Sequence, residues 1–267
     1  MLNRTFGCVR VVWNRTLAWR HARHHGEQAR TNFAQANAYL TAMKASEDLG
    51  WLNEVSSVPL QQAIRHQQVA FSNFFAKRAR YPRFKSRTGR QSAEYTRSGF
   101  RYRDGRLFLA KMDTPLAFTW SWTDVDAASI DPSTVTVSRD PCGRWYVCFA
   151  VDVADPVQLP VTGAVVGVDL GITDFAVTSK GEKIPNSRGL ARRERNLARY
   201  QRRMARCQQG SANRAKAKAK VARAHRKVRA SRQDFLHRTS ARLVRDHDVI
   251  VTKNRGHAGL YSVSLHY

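Results

Sequence analysis

Residues 165–172 read VVGVDLGI, and this stretch decides the fold that we expect for the second half of the chain. The run 165–168 has the apolar character of a buried strand, and it ends at the carboxylate of Asp169. Gly171 provides a turn, and residues 175–178 then have the pattern of a returning strand. The sequence therefore predicts a sheet that carries one carboxylate at the end of a buried strand.

Asp169 fits two kinds of chemistry and one purely structural role. A carboxylate that leaves a buried strand beside a glycine is how a ribonuclease H-like fold presents its first metal ligand, for Mg²⁺ ions that activate water. The same short pattern opens actin-like ATPases, in which Asp-x-Gly contacts the phosphates of ATP. An ordinary strand-turn-strand is the third interpretation, because the motif is short.

The first quarter of the chain is predicted to be helical. Apolar residues recur at helical spacing over 6–23, and residues 27–44 and 60–77 continue the pattern. Ser56 followed by Pro59 is a typical helix start. We therefore expect a small helical unit that extends over about residues 6–78.

The rest of the chain predicts antiparallel strands and a long helical hairpin, so the fold class is α+β. Residues 133–139 and 144–153 alternate as strands on either side of a turn. Residues 186–246 have a helical pattern that breaks near 209–211. The proline-containing stretch 156–163 resembles a linker, which divides the chain into domains at 1–155 and 164–267.

Positive charge dominates the composition. The 46 Lys and Arg residues exceed the 20 acidic residues, which gives a net charge of +26 and an isoelectric point near 11.1. Such an excess favours a polyanionic partner, and nucleic acid is the expected one because neutralised phosphates release counterions. A membrane partner would require a wide amphipathic face or a lipidation signal, and the sequence has neither.

The cysteines and the N-terminus indicate a cytoplasmic protein. No Cys-x-x-Cys pair occurs, so this chain alone is not expected to form a zinc ribbon. We expect reduced thiols, because cytosolic proteins rarely keep disulfides. The N-terminus has no apolar core of signal-peptide length. The four cysteines are Cys8, Cys142, Cys148 and Cys207.

A basic segment with interleaved aromatic residues is the first candidate binding site. Between residues 77 and 106 there are eleven basic and two acidic residues. Cations can hold phosphates while aromatic faces stack on unpaired bases; the alternative is a solvated loop whose aromatic residues enter the core. The candidate binding residues of this segment are Arg78, Arg80, Tyr81, Arg83, Phe84, Lys85 and Arg87.

The predicted hairpin is the second candidate. Residues 186–232 contain seventeen basic residues and one acidic residue, and they lack the Glu–Lys pairs that usually support a solvated helix. We therefore interpret the hairpin as a phosphate-binding surface, with Arg192, Arg193 and Arg199 as candidates. His21, His24 and His25 have helical spacing but no acidic partner nearby, so we expect them to be solvated or to face RNA.

Several motifs together resemble the TnpB/OrfB family, whose members are transposase-associated, RNA-guided nucleases related to type V CRISPR effectors. FGCVR at 6–10, with Asn14, is similar to the opening helix of the family. Residues 59–75 followed by YPRFKS at 81–86 resemble its most recognisable N-terminal stretch. GVDLG at 167–171 looks like the first RuvC motif. The order and spacing of these motifs disfavour the ATPase interpretation.

This resemblance implies a wedge-type antiparallel β-barrel with a helical recognition insert, followed by a RuvC nuclease domain. It also implies that a guide RNA and DNA are partners, with base pairing reading the target sequence. By the same resemblance, Arg10 and Asn14 are candidate nucleic-acid-binding residues. Asp169 is the implied catalytic residue and Mg²⁺ ligand.

The chain departs from the family at the catalytic site. The second catalytic carboxylate of the family is a glutamate, and the matching position is Lys253. The third carboxylate and the zinc-ribbon cysteines would lie beyond Tyr267, so we expect a truncated RuvC domain. One carboxylate next to a lysine provides too few oxygen ligands for two cations.

We therefore predict a protein that binds nucleic acid without cutting it. Three interpretations stay open. The chain is the remnant of a decayed nuclease gene, or a regulator that uses guide RNA to occupy DNA, or a nuclease that another chain completes.

Overall fold

The computed structural model describes residues 1–123, 125–152, 159–188, 191–253 and 260–264. The side chains of Arg192 and Lys253 lie outside the described part. The chain forms two compact units, Met1–Asp152 and Val153–Tyr267. None of the described helices combines the length and the apolar character that crossing a bilayer requires.

The three predicted helices of the first unit are confirmed, with shifted boundaries. Gln28 adopts a left-handed conformation (φ 51°) that ends α1. Asn32 and Gln35 form a capping box, so α2 begins at residue 33 rather than near 27. The Ser56 side chain accepts a hydrogen bond from the Val58 amide and starts α3. The helices are α1 (Leu2–Glu27), α2 (Phe33–Ala45) and α3 (Ser57–Phe75), with a 3₁₀ segment at Glu47–Glu54.

The β-rich middle forms a three-stranded antiparallel sheet and a separate hairpin. The sheet has the order β1-β4-β5, and β1 and β4 pair in register from Gln91↔Arg139 to Thr96↔Thr134. The hairpin turns at Asp104 and Gly105, which both have positive φ, a conformation that Asp-Gly pairs favour. Its strands are β2 (Phe100–Arg103) and β3 (Arg106–Leu109); those of the sheet are β1 (Gln91–Thr96), β4 (Pro132–Arg139) and β5 (Trp145–Val151).

The expected closed β-barrel is not formed by the described strands. The sheets of the first unit have three and two strands, and β1 and β5 are open edges of the larger one. Closure requires each edge strand to find a second partner strand, and neither β1 nor β5 has one among the described strands. The helices α1 and α3 pack against β1. The architecture of this unit is therefore a helical layer on a small sheet.

One apolar core joins these layers. Leu60 and Ile64 of α3 are buried with Val12 of α1, and Tyr95 of β1 and Val135 of β4 belong to the same cluster. Burial of such side chains contributes about 1.5–3 kcal/mol each before entropy is considered. The apolar residues that give α1 and α3 their helical periodicity and β4 its alternation thus pack in a single core.

The second unit is built on a five-stranded sheet in the order β10-β9-β6-β7-β8. The strand that contains Asp169 is central; it pairs antiparallel with β7 and parallel with β9. Sequence periodicity missed the last strand, β10. The strands are β6 (Val165–Leu170), β7 (Asp174–Thr178), β8 (Lys183–Pro185), β9 (Val249–Lys253) and β10 (Leu260–Ser264).

Two helices, α4 (Ala191–Ala205) and α5 (Ala212–Asp246), connect β8 to β9 and confirm the predicted helical hairpin. Gly210 has φ 82°, and the Ser211 hydroxyl accepts a hydrogen bond from the Arg214 amide at 3.2 Å to begin α5. The break near 209–211 therefore has a local cause in the sequence. The helices pack through Leu197, Ala217 and Val221, which are buried.

The carboxylate of Asp248 fixes where β6 and β9 begin. It accepts hydrogen bonds from the Thr162 amide at 2.9 Å, the Thr162 hydroxyl at 2.9 Å and the Gly163 amide at 2.7 Å. The Asp248 amide donates to the Ala164 carbonyl. The hydrogen bonds from Thr162 and Gly163 hold the pKa of Asp248 below its usual value. The parallel register of β6 and β9 follows from this anchor.

Glycine substitutions test the turn that follows Asp169. A Cβ atom at Gly171 would lie 2.8 Å from the backbone oxygen of Asp174, so we expect Gly171→Ala to destabilise the second unit by about 1–3 kcal/mol. A Cβ at Gly7, inside α1, meets no atom within 4 Å, and Gly7→Ala should stabilise the first unit by about 0.5–1 kcal/mol. Urea unfolding measures both changes; equal effects of the two substitutions would contradict the packing at Gly171.

Candidate nucleic-acid interface

The segment YPRFKS at 81–86 is held against α1 by neutral side chains. The Asn14 side-chain amide donates to the Lys85 carbonyl at 3.0 Å, and the Lys85 amide donates back to Asn14 Oδ1 at 2.8 Å. Trp13 Nε1 donates to the Arg83 carbonyl at 2.9 Å. Asn14 was predicted to bind nucleic acid, and here its amide group is engaged by the backbone of Lys85.

Lys85 and Arg10 also have intramolecular contacts. The Lys85 ammonium lies 4.2 Å from the centre of the Trp13 ring, a cation–π contact. Burial lowers the pKa of Lys85, because the charged form loses solvation there. An Arg10 guanidinium nitrogen donates to Gln91 Oε1 at 3.0 Å, and Gln91 donates to the carbonyls of Ser86 and Gly89. These two cations therefore help to position the segment.

The remaining predicted residues of this segment face solvent. Phe84 is 63% exposed, and its aromatic face is free to stack because it lies outside the apolar core. The exposed basic side chains around it are Arg78, Arg80, Arg83 and Arg87. We call Phe84 and these four arginines the basic segment surface. The site thus contains residues that hold the segment in place and residues that the folded segment exposes to solvent.

Trp13 and Gln91 help to position the segment, and the sequence did not single them out. Trp13 has helical spacing and reads as a core residue, and it is indeed 8% exposed. Its role depends on the indole N–H reaching a carbonyl 70 positions along the chain. No local pattern encodes such a contact.

The hairpin of α4 and α5 presents a groove lined mainly by cations. A cavity of about 310 Å³ lies between the helices. Arg193 and Arg199 are exposed, and the Arg199 guanidinium lies 5.3 Å from the centre of the Tyr200 ring. Arg214 instead donates to the carbonyls of Met204 and Cys207 and closes the end of α4. The groove is lined by Arg193, Asn196, Tyr200, Lys220, Arg223, Ala224, Arg226 and Lys227.

Asp169 and Lys253 occupy neighbouring strands. The parallel register of β6 and β9 runs from Val165↔Val249 to Val168↔Thr252, so Lys253 is the next residue opposite Asp169. Asp169 itself is exposed. Within the described ranges, no group of three or more His, Cys, Asp or Glu side chains could hold a metal ion. The described residues therefore do not fit a magnesium site.

The Asn14 clamp gives a direct test of this description. Asn14→Ala leaves the Lys85 amide without its partner, and we expect it to destabilise the first unit by about 1–3 kcal/mol. The exposed Gln61 on α3 serves as a control, because Gln61→Ala should change stability by less than about 0.5 kcal/mol. Proteolysis between residues 78 and 90 should also accelerate in Asn14→Ala. Unchanged unfolding and unchanged proteolysis would show that the clamp is not formed.

Two protein-family descriptions match the chain. The family OrfB_IS605, described as "Probable transposase", matches residues 148–254, and a related helix-turn-helix domain matches residues 1–28. A structure titled as a complex of Cas12f1 with sgRNA and target DNA aligns with 95% of this chain and 64% of that chain. Its TM-score is 0.52 and the identity is 12%, so this likeness concerns the fold.

Curated relatives agree with these matches. A protein of Streptomyces pristinaespiralis, named as an RNA-guided DNA endonuclease, is 51% identical over 255 residues. InsQ of Escherichia coli, named in the same way, is 29% identical over 264 residues. Each alignment covers 95% of this chain, and the chain spans 62% of the length of each relative. The chain belongs to the TnpB/OrfB family of transposase-associated proteins.

Proposed function

We propose that this chain binds a guide RNA and DNA, and that residues 1–267 do not cleave DNA by themselves. The observation that carries the proposal is the distribution of the +26 net charge. The basic segment surface and the hairpin groove present arginines and lysines to solvent, with aromatic side chains among them. The cations at these surfaces can contact phosphates, and the aromatic rings can stack on bases.

The proposed division of labour follows the two parts of the chain. Residues 1–155 act as a wedge-like domain with a helical recognition insert over about 6–78. Residues 164–267 act as a RuvC-like domain, a proposal supported by a central β6 that is antiparallel to β7 and parallel to β9. The relatives named as RNA-guided DNA endonucleases support guide RNA and DNA as the partners.

The proposed lack of cleavage rests on Lys253. A two-metal site needs several hard oxygen ligands, and the family resemblance expects a glutamate at this position. Lys253 follows Thr252 in β9, in register with Asp169 on the neighbouring strand. A lysine at this position supplies no oxygen ligand for a divalent cation. Of the two family positions matched here, Asp169 keeps the carboxylate and Lys253 does not.

A cleavage assay tests this proposal. The purified chain is incubated with Mg²⁺, matching DNA and RNA transcribed from the end of its own element. We expect the RNA and DNA to be bound and the DNA to stay intact. Sequence-directed cleavage that disappears in Asp169→Ala would overturn the proposed lack of activity. Cleavage that appears only when a second protein chain is added would support a nuclease completed by a partner.

The hairpin groove makes a second prediction about salt dependence. Each phosphate contact contributes about 1 to the slope of log K against log salt concentration, so Arg223→Gln should lower that slope by about 1. Arg238→Gln is the matched control on the same helix, because Arg238 already donates to Asp234 at 3.1 Å. Fluorescence anisotropy with labelled RNA over a salt series measures both slopes. Equal slopes for the two variants would exclude the groove as a phosphate-binding surface.

A further inference from the structure

A cavity of about 450 Å³ lies in the first unit, where the ends of α1 and α3 meet the start of YPRFKS. It shares no lining residue with the basic segment surface. Its lining combines aromatic rings with cations. The aromatic side chains are Phe71, Phe74, Phe75 and Tyr81, and the basic side chains are Arg20, His24 and Arg30.

Arg20 is the unusual member of this lining, because it is a buried charge without a carboxylate partner. Its exposed fraction is 4%. One guanidinium nitrogen donates to Gln68 Oε1 at 2.9 Å, and the group lies 5.2 Å from the centre of the Phe71 ring. Nε and Nη2 have no hydrogen-bond partner among the described residues. Both nitrogens are inaccessible to solvent, so Arg20 acts on a ligand in the cavity through its charge rather than by direct hydrogen bonds.

This charge has an electrostatic consequence for the cavity. Burial lowers the pKa of Arg20, yet an arginine side chain stays protonated in proteins. A buried charge without a counter-ion is costly, and its field is poorly screened at short range. No ion pair to Arg20 is present in the part of the chain that the structure describes. An anionic group in the cavity would relieve this cost.

The aromatic wall adds a second requirement for the ligand. Tyr81 packs edge-on against Phe71 and Phe74, with ring centroids 5.5 and 5.3 Å apart. Tyr81 is 40% exposed and Phe75 is 70% exposed, an unusual exposure for a phenylalanine at a cavity rim. Faces of this kind stack on planar rings. The ligand should therefore carry both an anionic group and a planar ring.

We propose that this cavity binds one unpaired nucleotide of a bound single strand. Its base stacks on Phe75 and Tyr81, and its phosphate contacts the exposed Arg30 and is attracted by the buried charge of Arg20. The inference rests on the proposed nucleic-acid binding and adds a site at which one nucleotide leaves the path of the strand. It also gives Arg20 a function, because the bound phosphate supplies the counter-ion that the fold lacks.

Two substitutions test the site. Phe75→Leu removes an exposed ring, and we expect binding of a single-stranded oligonucleotide to weaken by at least about 5-fold, as loss of one stacking contact implies. Val69→Ala is the control on the same helix, because Val69 is 54% exposed and does not line the cavity. Arg20→Met should weaken binding about 10-fold or more while the protein without ligand unfolds at an equal or higher temperature. A structural role for Arg20 would instead lower that temperature.

Photo-cross-linking locates the contact. The probes are oligouridylate with 4-thiouridine and its deoxy counterpart, and the readout is mass spectrometry of cross-linked peptides. We expect a cross-link at Phe75 or Tyr81 that Phe75→Leu reduces and Val69→Ala retains. A stronger signal with the ribose strand identifies RNA as the source of the nucleotide, and a stronger signal with the deoxyribose strand identifies DNA.

The possible failures are distinguishable. If the wild-type chain binds neither strand, the proposed function itself fails. If the strands bind with the same affinity to wild type, Phe75→Leu and Arg20→Met, and no cross-link forms in the cavity, the nucleotide site is overturned while nucleic-acid binding stands.

Discussion

Repulsion among 46 basic residues is the constraint on which the rest of this structure depends. A net charge of +26 opposes compaction, so contacts that join distant parts of the chain cannot rely on cations alone. The ion pairs of the described residues lie on the surface, as in Arg97 with Asp131, where such pairs contribute little. Hydrogen bonds to backbone groups and apolar burial make the decisive connections instead.

The Asn14 clamp and the Asp248 anchor illustrate this solution in the two units. Asn14 joins α1 to the segment around Lys85 through paired hydrogen bonds with the backbone. Asp248 accepts hydrogen bonds from the amides of Thr162 and Gly163 and from the Thr162 hydroxyl, and thereby sets the register of β6 and β9. Because the scaffold is held in this way, most arginines stay exposed for an anionic partner.

Arg20 is the exception, since it places a cation inside the scaffold. Proteins rarely bury an arginine without a carboxylate, because the loss of solvation is large. Here the guanidinium has a Gln68 oxygen and the Phe71 ring as its neighbours. The buried charge destabilises the free protein, and an anion that enters the adjacent cavity would offset this effect. Arg20 thereby couples the stability of the fold to ligand binding.

The sequence by itself determined the helices, most strands, the break at 209–211 and the position of Asp169, because local periodicity, caps and turn residues encode them. It also indicated the family, through motifs that lie in order along the chain. Only the tertiary structure decided which residues of the basic segment hold it and which are exposed, since Asn14, Trp13 and Lys85 meet across about 70 positions. It also left the small sheet open where a barrel was expected, and it enclosed Arg20 beside aromatic rings. Contacts of this kind depend on how distant elements pack, and local patterns carry no information about them.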